Sequence, residues 1–94
     1  MIQIATIETN KAERLMKALC NHFARKRTAS YEGSKGFIDF GDGKCEITAT
    51  SSTLIFQAEA DTTDGLDHVK RAVDKHLQRF TPEDDIQIVW KDPS

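Results

Sequence analysis

Apolar residues recur at helical spacing in two segments of this 94-residue chain, and the stretch between these segments alternates with the period of a β-strand. The first apolar stripe consists of Ala12, Leu15, Met16, Leu19, Cys20, Phe23 and Ala24. The second stripe consists of Leu66, Val69, Val73, Leu77 and Phe80. Each segment is therefore predicted to form an amphipathic helix that buries one face.

The sequence also marks where these helices begin and end. Asn10 followed by Glu13 is close to a capping box and predicts that the first helix begins near Lys11. The acidic and threonine residues of 61–64 suit the start of the second helix. Pro82 should end it, because proline cannot continue the backbone hydrogen-bond ladder.

Six short stretches have the composition and alternation of strands, namely 2–8, 28–32, 37–40, 45–50, 54–60 and 86–90. The four strands between the helices should form an antiparallel meander with one polar face. The predicted order is β-α-β-β-β-β-α-β. We therefore expect a single α+β domain over residues 1–94, a two-layer sandwich of a mostly antiparallel sheet with two helices packed on one face.

Composition narrows the classes of function. A net charge of -2 and a pI near 5.9 argue against a dedicated nucleic-acid binder, whose domains are usually basic. The N-terminus lacks the basic and apolar regions of a signal peptide, and no apolar run reaches the roughly 20 residues of a membrane span. We therefore expect a cytoplasmic protein with neither nucleic-acid nor membrane partners.

Charge is unevenly distributed along the chain. Residues 11–27 contain six basic residues against Glu13 alone, whereas residues 39–67 contain seven acidic residues against Lys44 alone. One interpretation is a solvated helix face opposite a solvated acidic region. The alternatives are a basic surface for an anionic ligand, or head-to-tail self-association of unlike faces, which would give a homodimer.

The pattern His-apolar-x-Arg closes both predicted helices, at residues 22–25 and 76–79. Histidine and arginine are favoured in last helical turns, where they interact with free carbonyl groups and the helix dipole, so a structural role is one interpretation. The helical projection places His22 at the edge of its stripe and His76 nearer the centre, and the two histidines could meet across the helix seam. The functional alternative is a ligand-binding surface for a carboxylate, a phosphate or an anionic siderophore group, formed by His22, Arg25, Lys26, His76 and Arg79.

The two cysteines are expected to be reduced thiols. Cys20 belongs to an apolar stripe and should be inert in the core. Cys45 alternates with Ile47 and Ala49, so it is also expected to pack in the core, but it lies nearer a sheet end. It is therefore the better candidate for a reactive thiol, acting with His76 or His22. Cys20 and His22 lie about 200° apart on a helix and cannot readily coordinate the same metal ion, so we predict no metal site.

Three further features have simpler interpretations. Residues 41–44 faintly resemble a phosphate-binding loop but lack its other glycines and its following helix, so we predict a hairpin turn and no cofactor. His68 should lie on the exposed face of the second helix. Trp90 is expected in the core or at the helix seam.

Several segments together resemble the bacterial domain-of-unknown-function family 2218. The resemblance extends over roughly residues 4–91, and its most distinctive part is Leu-Cys-x-His-Phe-Ala-x-Lys at residues 19–26. The other matching segments are 36–41, 45–47, 76–80 and 89–90. The resemblance implies a small bacterial cytosolic protein without an established activity. Some members of the family are associated with siderophore-interacting reductases, which implies an iron-linked role.

No complete catalytic motif accompanies these features, so a binding or accessory module is the leading interpretation, with a small anion or another protein as its partner. A small thiol or histidine enzyme is the second, and a self-associating structural protein is the third.

Overall fold

Two helices lie on one face of a five-stranded antiparallel sheet in the structure of this chain, a computed structural model that describes residues 1–81 and 88–93. The strands follow the order β1-β5-β4-β3-β2 across the sheet. The predicted two-layer α+β sandwich is confirmed. The elements are β1 (Ile2–Glu8), α1 (Ala12–Phe23), β2 (Thr28–Glu32), β3 (Lys35–Asp39), β4 (Lys44–Ala49), β5 (Thr53–Glu59) and α2 (Thr63–Phe80).

The strand register aligns the buried side chains into rows across the sheet, since side chains alternate between its faces. Cys45 pairs with Ala58 on one side and with Ile38 on the other, and all three are buried. The opposite face carries the predicted polar residues, such as Glu46 and Gln57, which also pair with each other. Only one face of the sheet can therefore accept the apolar stripes of the helices.

Both helices reach this face at glycines. A Cβ atom on Gly36 of β3 would lie 2.9 Å from Cys20 Sγ in α1. A Cβ atom on Gly43, next to β4, would lie 2.7 Å from Val69 Cγ2 in α2. These approaches are tighter than real Cβ contacts, so a larger residue at either glycine would push a helix away from the sheet.

The two helix starts differ in how they are capped. Thr62 accepts a hydrogen bond from the Gly65 amide at 3.0 Å, so the predicted start of α2 is confirmed. The predicted cap at Asn10 is wrong, because the N-cap of α1 is Lys11 and no side chain caps that end. Instead, Thr9 Oγ1 accepts a hydrogen bond from the Lys11 amide at 3.1 Å.

The hairpin between β3 and β4 forms as predicted. The amide of Phe40 donates to the carbonyl oxygen of Gly43 at 2.8 Å, and Gly41 has a φ of 88°, which favours glycine. The tip of this hairpin touches α2, because a Cβ on Gly65 would overlap the carbonyl oxygen of Asp42. The hairpin and the start of α2 are thus fixed relative to each other.

The predicted last strand, 86–90, falls partly on residues 82–87, which lie outside the described residues. In the described part, Lys91 forms an isolated antiparallel bridge with Ile4, through two backbone hydrogen bonds of 2.8 and 2.9 Å. Trp90 is half-buried against the core, and its indole N–H donates to Asp74 Oδ1 at 3.0 Å. Hydrogen bonds therefore connect Lys91 to β1 and Trp90 to α2.

Cys20 and Cys45 are both unbonded thiols in the buried core. Neither helix of the described chain is long and apolar enough to cross a membrane.

The close contact at Gly65 predicts an unusual effect of alanine. Gly65→Ala should lower the free energy of unfolding by about 1–3 kcal/mol, because the new methyl group forces the 41–43 turn and α2 apart. Urea denaturation measures the change. Gln78→Ala, at an exposed position of the same helix, is the matched control and should change stability by less than about 0.5 kcal/mol. A Gly65→Ala protein more stable than the wild type, as helix propensity alone would favour, would contradict this packing.

Candidate functional site

A cavity of about 610 Å³ opens between the end of α1 and one face of α2. We call it the cationic cleft, because no acidic residue among residues 1–81 and 88–93 lines it. Its lining consists of Arg25, Lys26, Arg27, Arg71, Lys75 and Arg79, the histidines His22, His68 and His76, and the apolar Phe23 and Ala72. Within residues 1–81 and 88–93, none of the six lysines and arginines forms a salt bridge.

The cleft residues of helix α2 are spaced so that they lie on one side of the helix. His68, Arg71, Lys75 and Arg79 follow one another at three- and four-residue steps, so they project from one face of the helix. This face adjoins the apolar stripe, which buries Val69, Val73 and Leu77 in the core. The cations therefore lie at the border between the core and solvent.

The end of α1 contributes the remaining cations through a backbone turn. The amides of Lys26 and Arg27 both donate to the carbonyl oxygen of Phe23, at 3.1 and 2.8 Å. Arg27 Nη1 donates to the carbonyl oxygen of Phe40 at 3.0 Å, and its guanidinium lies 5.1 Å from the centre of the Phe40 ring. Arg27 is thus anchored to the sheet, whereas the exposed Arg25 and Lys26 extend from a turn of defined backbone.

His22 and His76 meet across the helix seam, with ring centres 4.8 Å apart. His76 Nδ1 lies 2.7 Å from the carbonyl oxygen of Ala72. Because a carbonyl oxygen only accepts, Nδ1 of His76 must carry a proton and donate it to this bond. The centres of the Phe23 and His76 rings lie 4.5 Å apart, so aromatic packing holds the His76 ring in position.

The surroundings of His22 disfavour its charged form. Burial lowers the pKa of His22, and repulsion from His76, Arg25, Arg79 and Lys26 lowers it further. The imidazole of His22 is therefore neutral at pH 7. An anion in the cleft would reduce this repulsion and so favour protonation of His22.

His68 is fixed by the hairpin between β3 and β4. Its Nδ1 lies 2.8 and 3.0 Å from the two carboxylate oxygens of Asp42, and the hydrogen bond to His68 lowers the pKa of Asp42. The Phe40 ring packs edge-on against His68, with centres 5.8 Å apart. His68 therefore closes one end of the cleft with a defined ring orientation.

The structure brings all five residues of the predicted ligand-binding surface to the cationic cleft, namely His22, Arg25, Lys26, His76 and Arg79. That they bind a ligand stays a prediction. The sequence interpretation did not include Arg27, His68, Arg71 and Lys75 in this site. The spacing of His68, Arg71 and Lys75 before Arg79 was the signal that could have identified three of them.

Cys45 lies apart from the cleft. Its side chain is fully buried, it does not line the cavity, and burial raises its pKa well above the ordinary thiol value. Burial also raises the pKa of Cys20. Both shifts reduce the thiolate fraction, so this environment disfavours Cys45 as a reactive thiol acting with His76 or His22.

Three or more histidine, cysteine, aspartate or glutamate side chains placed to hold a metal ion do not occur together in the described parts of the chain. The cations around His22 and His76 would also repel a metal cation. The chemistry that this arrangement favours is recognition of an anion.

Comparison with known proteins gives a family and a fold. A family model described as "Uncharacterized protein conserved in bacteria (DUF2218)" matches residues 4–91. The NMR structure of PA4090 from Pseudomonas aeruginosa is similar to this chain, with 30% identity and a TM-score of 0.82 over 96% of this chain and 94% of that one. No curated protein matches the chain.

NMR titration of the imidazole signals tests the electrostatics of the cleft. We expect His22 to titrate at a lower pH than an ordinary histidine, whose pKa is about 6.5. His76→Gln should raise the pKa of His22 towards that value, because it removes one repelling group. The effect of burial should remain. A His22 pKa at or above the ordinary value would contradict the described surroundings.

The lowered pKa of His22 also makes the stability of the fold depend on pH. The pKa of His22 is lower in the folded than in the unfolded chain, so the unfolded chain binds this proton first as the pH falls below about 6.5. The contribution of His22 to stability is therefore present above that pH and decreases below it.

Thiol labelling tests the interpretation of the two cysteines. At neutral pH, Cys45 in the folded protein should react with an aromatic disulfide reagent at least about tenfold more slowly than a peptide thiol, because the buried thiol is protonated and inaccessible. In denaturant, both cysteines should react at the peptide rate. Fast labelling of Cys45 in the folded protein would instead favour the enzyme interpretation.

Proposed function

This chain belongs to the DUF2218 family of uncharacterized bacterial proteins, and we propose that it is a binding module for a small anion held in the cationic cleft. The observation that carries the proposal is the convergence of six lysines and arginines on one cavity that no acidic residue lines in the part of the chain that the structure describes. These are six of the 13 basic residues in a chain whose net charge is -2, so an overall basic composition does not explain them.

Electrostatics favour an anion in this cleft. Like charges that converge around one cavity raise the free energy of the folded state, and a bound anion offsets that repulsion. Guanidinium groups suit carboxylates and phosphates especially well, because their planar donors can bind two oxygens at once. Arg25, Arg71 and Arg79 are exposed and offer such donors.

The size of the cleft favours a small molecule. Pockets for small ligands commonly occupy about 300–1,000 Å³, and the volume of about 610 Å³ lies within this range. We do not expect nucleic acid as the partner, because the chain is acidic overall and a duplex needs an extended basic surface. A cytoplasmic location stays part of the proposal.

Self-association is supported by one separate feature. Strand β2 (Thr28–Glu32) is an edge strand of the sheet, and it pairs only with β3 among the described residues. An edge of this kind can pair with a second copy of the chain. A homodimer is therefore compatible with anion binding. Sedimentation at micromolar concentration would show whether the chain is a monomer or a dimer.

Calorimetry at low ionic strength tests anion binding with citrate and pyrophosphate as probes. The wild type should bind at least one of them, and Arg25→Ala with Arg79→Ala should weaken binding at least tenfold, since a hydrogen bond to a charged group contributes about 1.5–3 kcal/mol. Arg14→Ala with Lys35→Ala is the matched control. It removes the same charge from exposed positions outside the cleft and should change the affinity less than twofold.

Two results would count against the proposal. Equal weakening by both double variants would mean that overall charge attracts the anion, and no binding of either probe would remove the proposed function. Ferric citrate compared with citrate tests the iron-linked role implied by the family resemblance, because tighter binding of the iron complex would support that role.

A further inference from the structure

Four aromatic or imidazole rings, those of His22, Phe23, His68 and His76, line the cationic cleft beside its cations, and Phe40 and Phe80 pack against them. The rings form a continuous series in which each contacts the next, with centres 4.5–5.8 Å apart. In order, the series is Phe80, His22, His76, Phe23, Phe40 and His68. It includes all three histidines of the chain and three of its five phenylalanines. Such spacing is typical of packed aromatic pairs.

The cleft therefore has two chemically different parts. The exposed Arg25, Lys26 and Arg79 form a charged rim. Ala72 supplies apolar atoms to the lining and His76 presents a half-buried ring beside it, while the buried Phe23 lies against the His76 ring. A site that bound only a hydrated inorganic anion would gain nothing from these apolar atoms, which are better covered by an apolar ligand group.

The histidine surfaces also suit an apolar group. The Nδ1–H of His76 is already used by the Ala72 carbonyl. The face of an imidazole ring can pack against a flat aromatic ring.

The volume of the cleft supports the same conclusion. A water molecule occupies about 30 Å³ in the liquid, so a cavity of about 610 Å³ has room for roughly 20 waters. A lone phosphate or carboxylate group would fill a small part of it. An anion with a ring-sized body would fill more and cover the apolar lining.

We infer that the cationic cleft selects anions that carry a flat aromatic ring, with the ring against Ala72 and His76 and the acidic group at the arginines of the rim. This inference rests on the proposed function and adds the class of the ligand. The acidic group can be a carboxylate or a phosphate, since guanidinium binds both.

Pairs of ligands with the same charge test the inference in the wild-type protein. Phenyl phosphate is compared with methyl phosphate, and phthalate with succinate, by calorimetry or by NMR shifts of the cleft amides. The aromatic member of each pair should bind at least about tenfold more tightly, because only that member buries an apolar ring. Benzamide, which has the ring without the charge, should bind more weakly than phthalate.

A variant that fills the apolar part locates the ring. Ala72→Leu places a larger side chain in the lining and should reduce the affinity for phenyl phosphate about tenfold, towards that for methyl phosphate. Its affinity for methyl phosphate should be unchanged. The matched control is Ala18→Leu, at a half-buried position of α1 outside the cleft, which should alter neither affinity. Circular dichroism checks that both variants fold.

The outcomes separate the two proposals. Equal affinity within each ligand pair would overturn the aromatic selectivity and leave anion binding intact. Binding of benzamide as tight as that of phthalate would overturn the requirement for an anion, and with it the proposed function. Equal loss of phenyl phosphate and methyl phosphate binding in Ala72→Leu would overturn the placement of the ring.

Discussion

The close approach of both helices to one face of the sheet is the constraint on which the rest of this structure depends. It occurs where the sheet side lacks a side chain, at Gly36 beneath α1 and at Gly43 beneath α2. The opposite face of the sheet is polar, so the two apolar stripes have the same surface to cover and must lie side by side. The ends of the helices are then neighbours, and His22 and His76 come into contact.

This packing also produces the charge distribution of the cleft. The last turn of a helix is a favourable place for cations, so Arg79 in the last turn of α2 is locally stabilised, and Arg25 and Lys26 lie just beyond the end of α1. Bringing the two helices together adds mutual repulsion to this local benefit. The lowered pKa of His22 is one expression of that repulsion, and a bound anion is the simplest group that would offset it.

The hairpin between β3 and β4 connects the sheet to the cleft. Its tip contacts α2 at Gly65, its Asp42 carboxylate is hydrogen-bonded to His68, and Phe40 at its base contacts both Arg27 and His68. The same short segment therefore fixes the position of α2 and the orientation of two cleft residues. Packing in the core and arrangement of the candidate site are consequences of one set of contacts.

The sequence by itself determined the elements of the fold and half of the candidate site. Apolar residues at three- and four-residue steps identified both helices, and strict alternation identified the strands, because these periods follow from backbone geometry. The repeated His-apolar-x-Arg pattern identified His22, Arg25, His76 and Arg79. The side-chain cap predicted at Asn10 is absent, and the Lys11 amide donates to Thr9 instead. Several polar residues near this helix start compete for the same amide groups.

Only the tertiary structure decided which polar residues share a surface. The His68 side chain is 41% exposed, as its helix position predicts, but only its bond to Asp42, 26 residues earlier, shows that it lies at the cleft. Cys45 is completely buried, as its alternation with Ile47 and Ala49 predicts, but its distance from the histidines depends on tertiary packing. Periodicity tells which side of an element is apolar, but the distance between two elements depends on how closely their side chains pack, and here that distance is set by Gly36, Gly43 and Gly65.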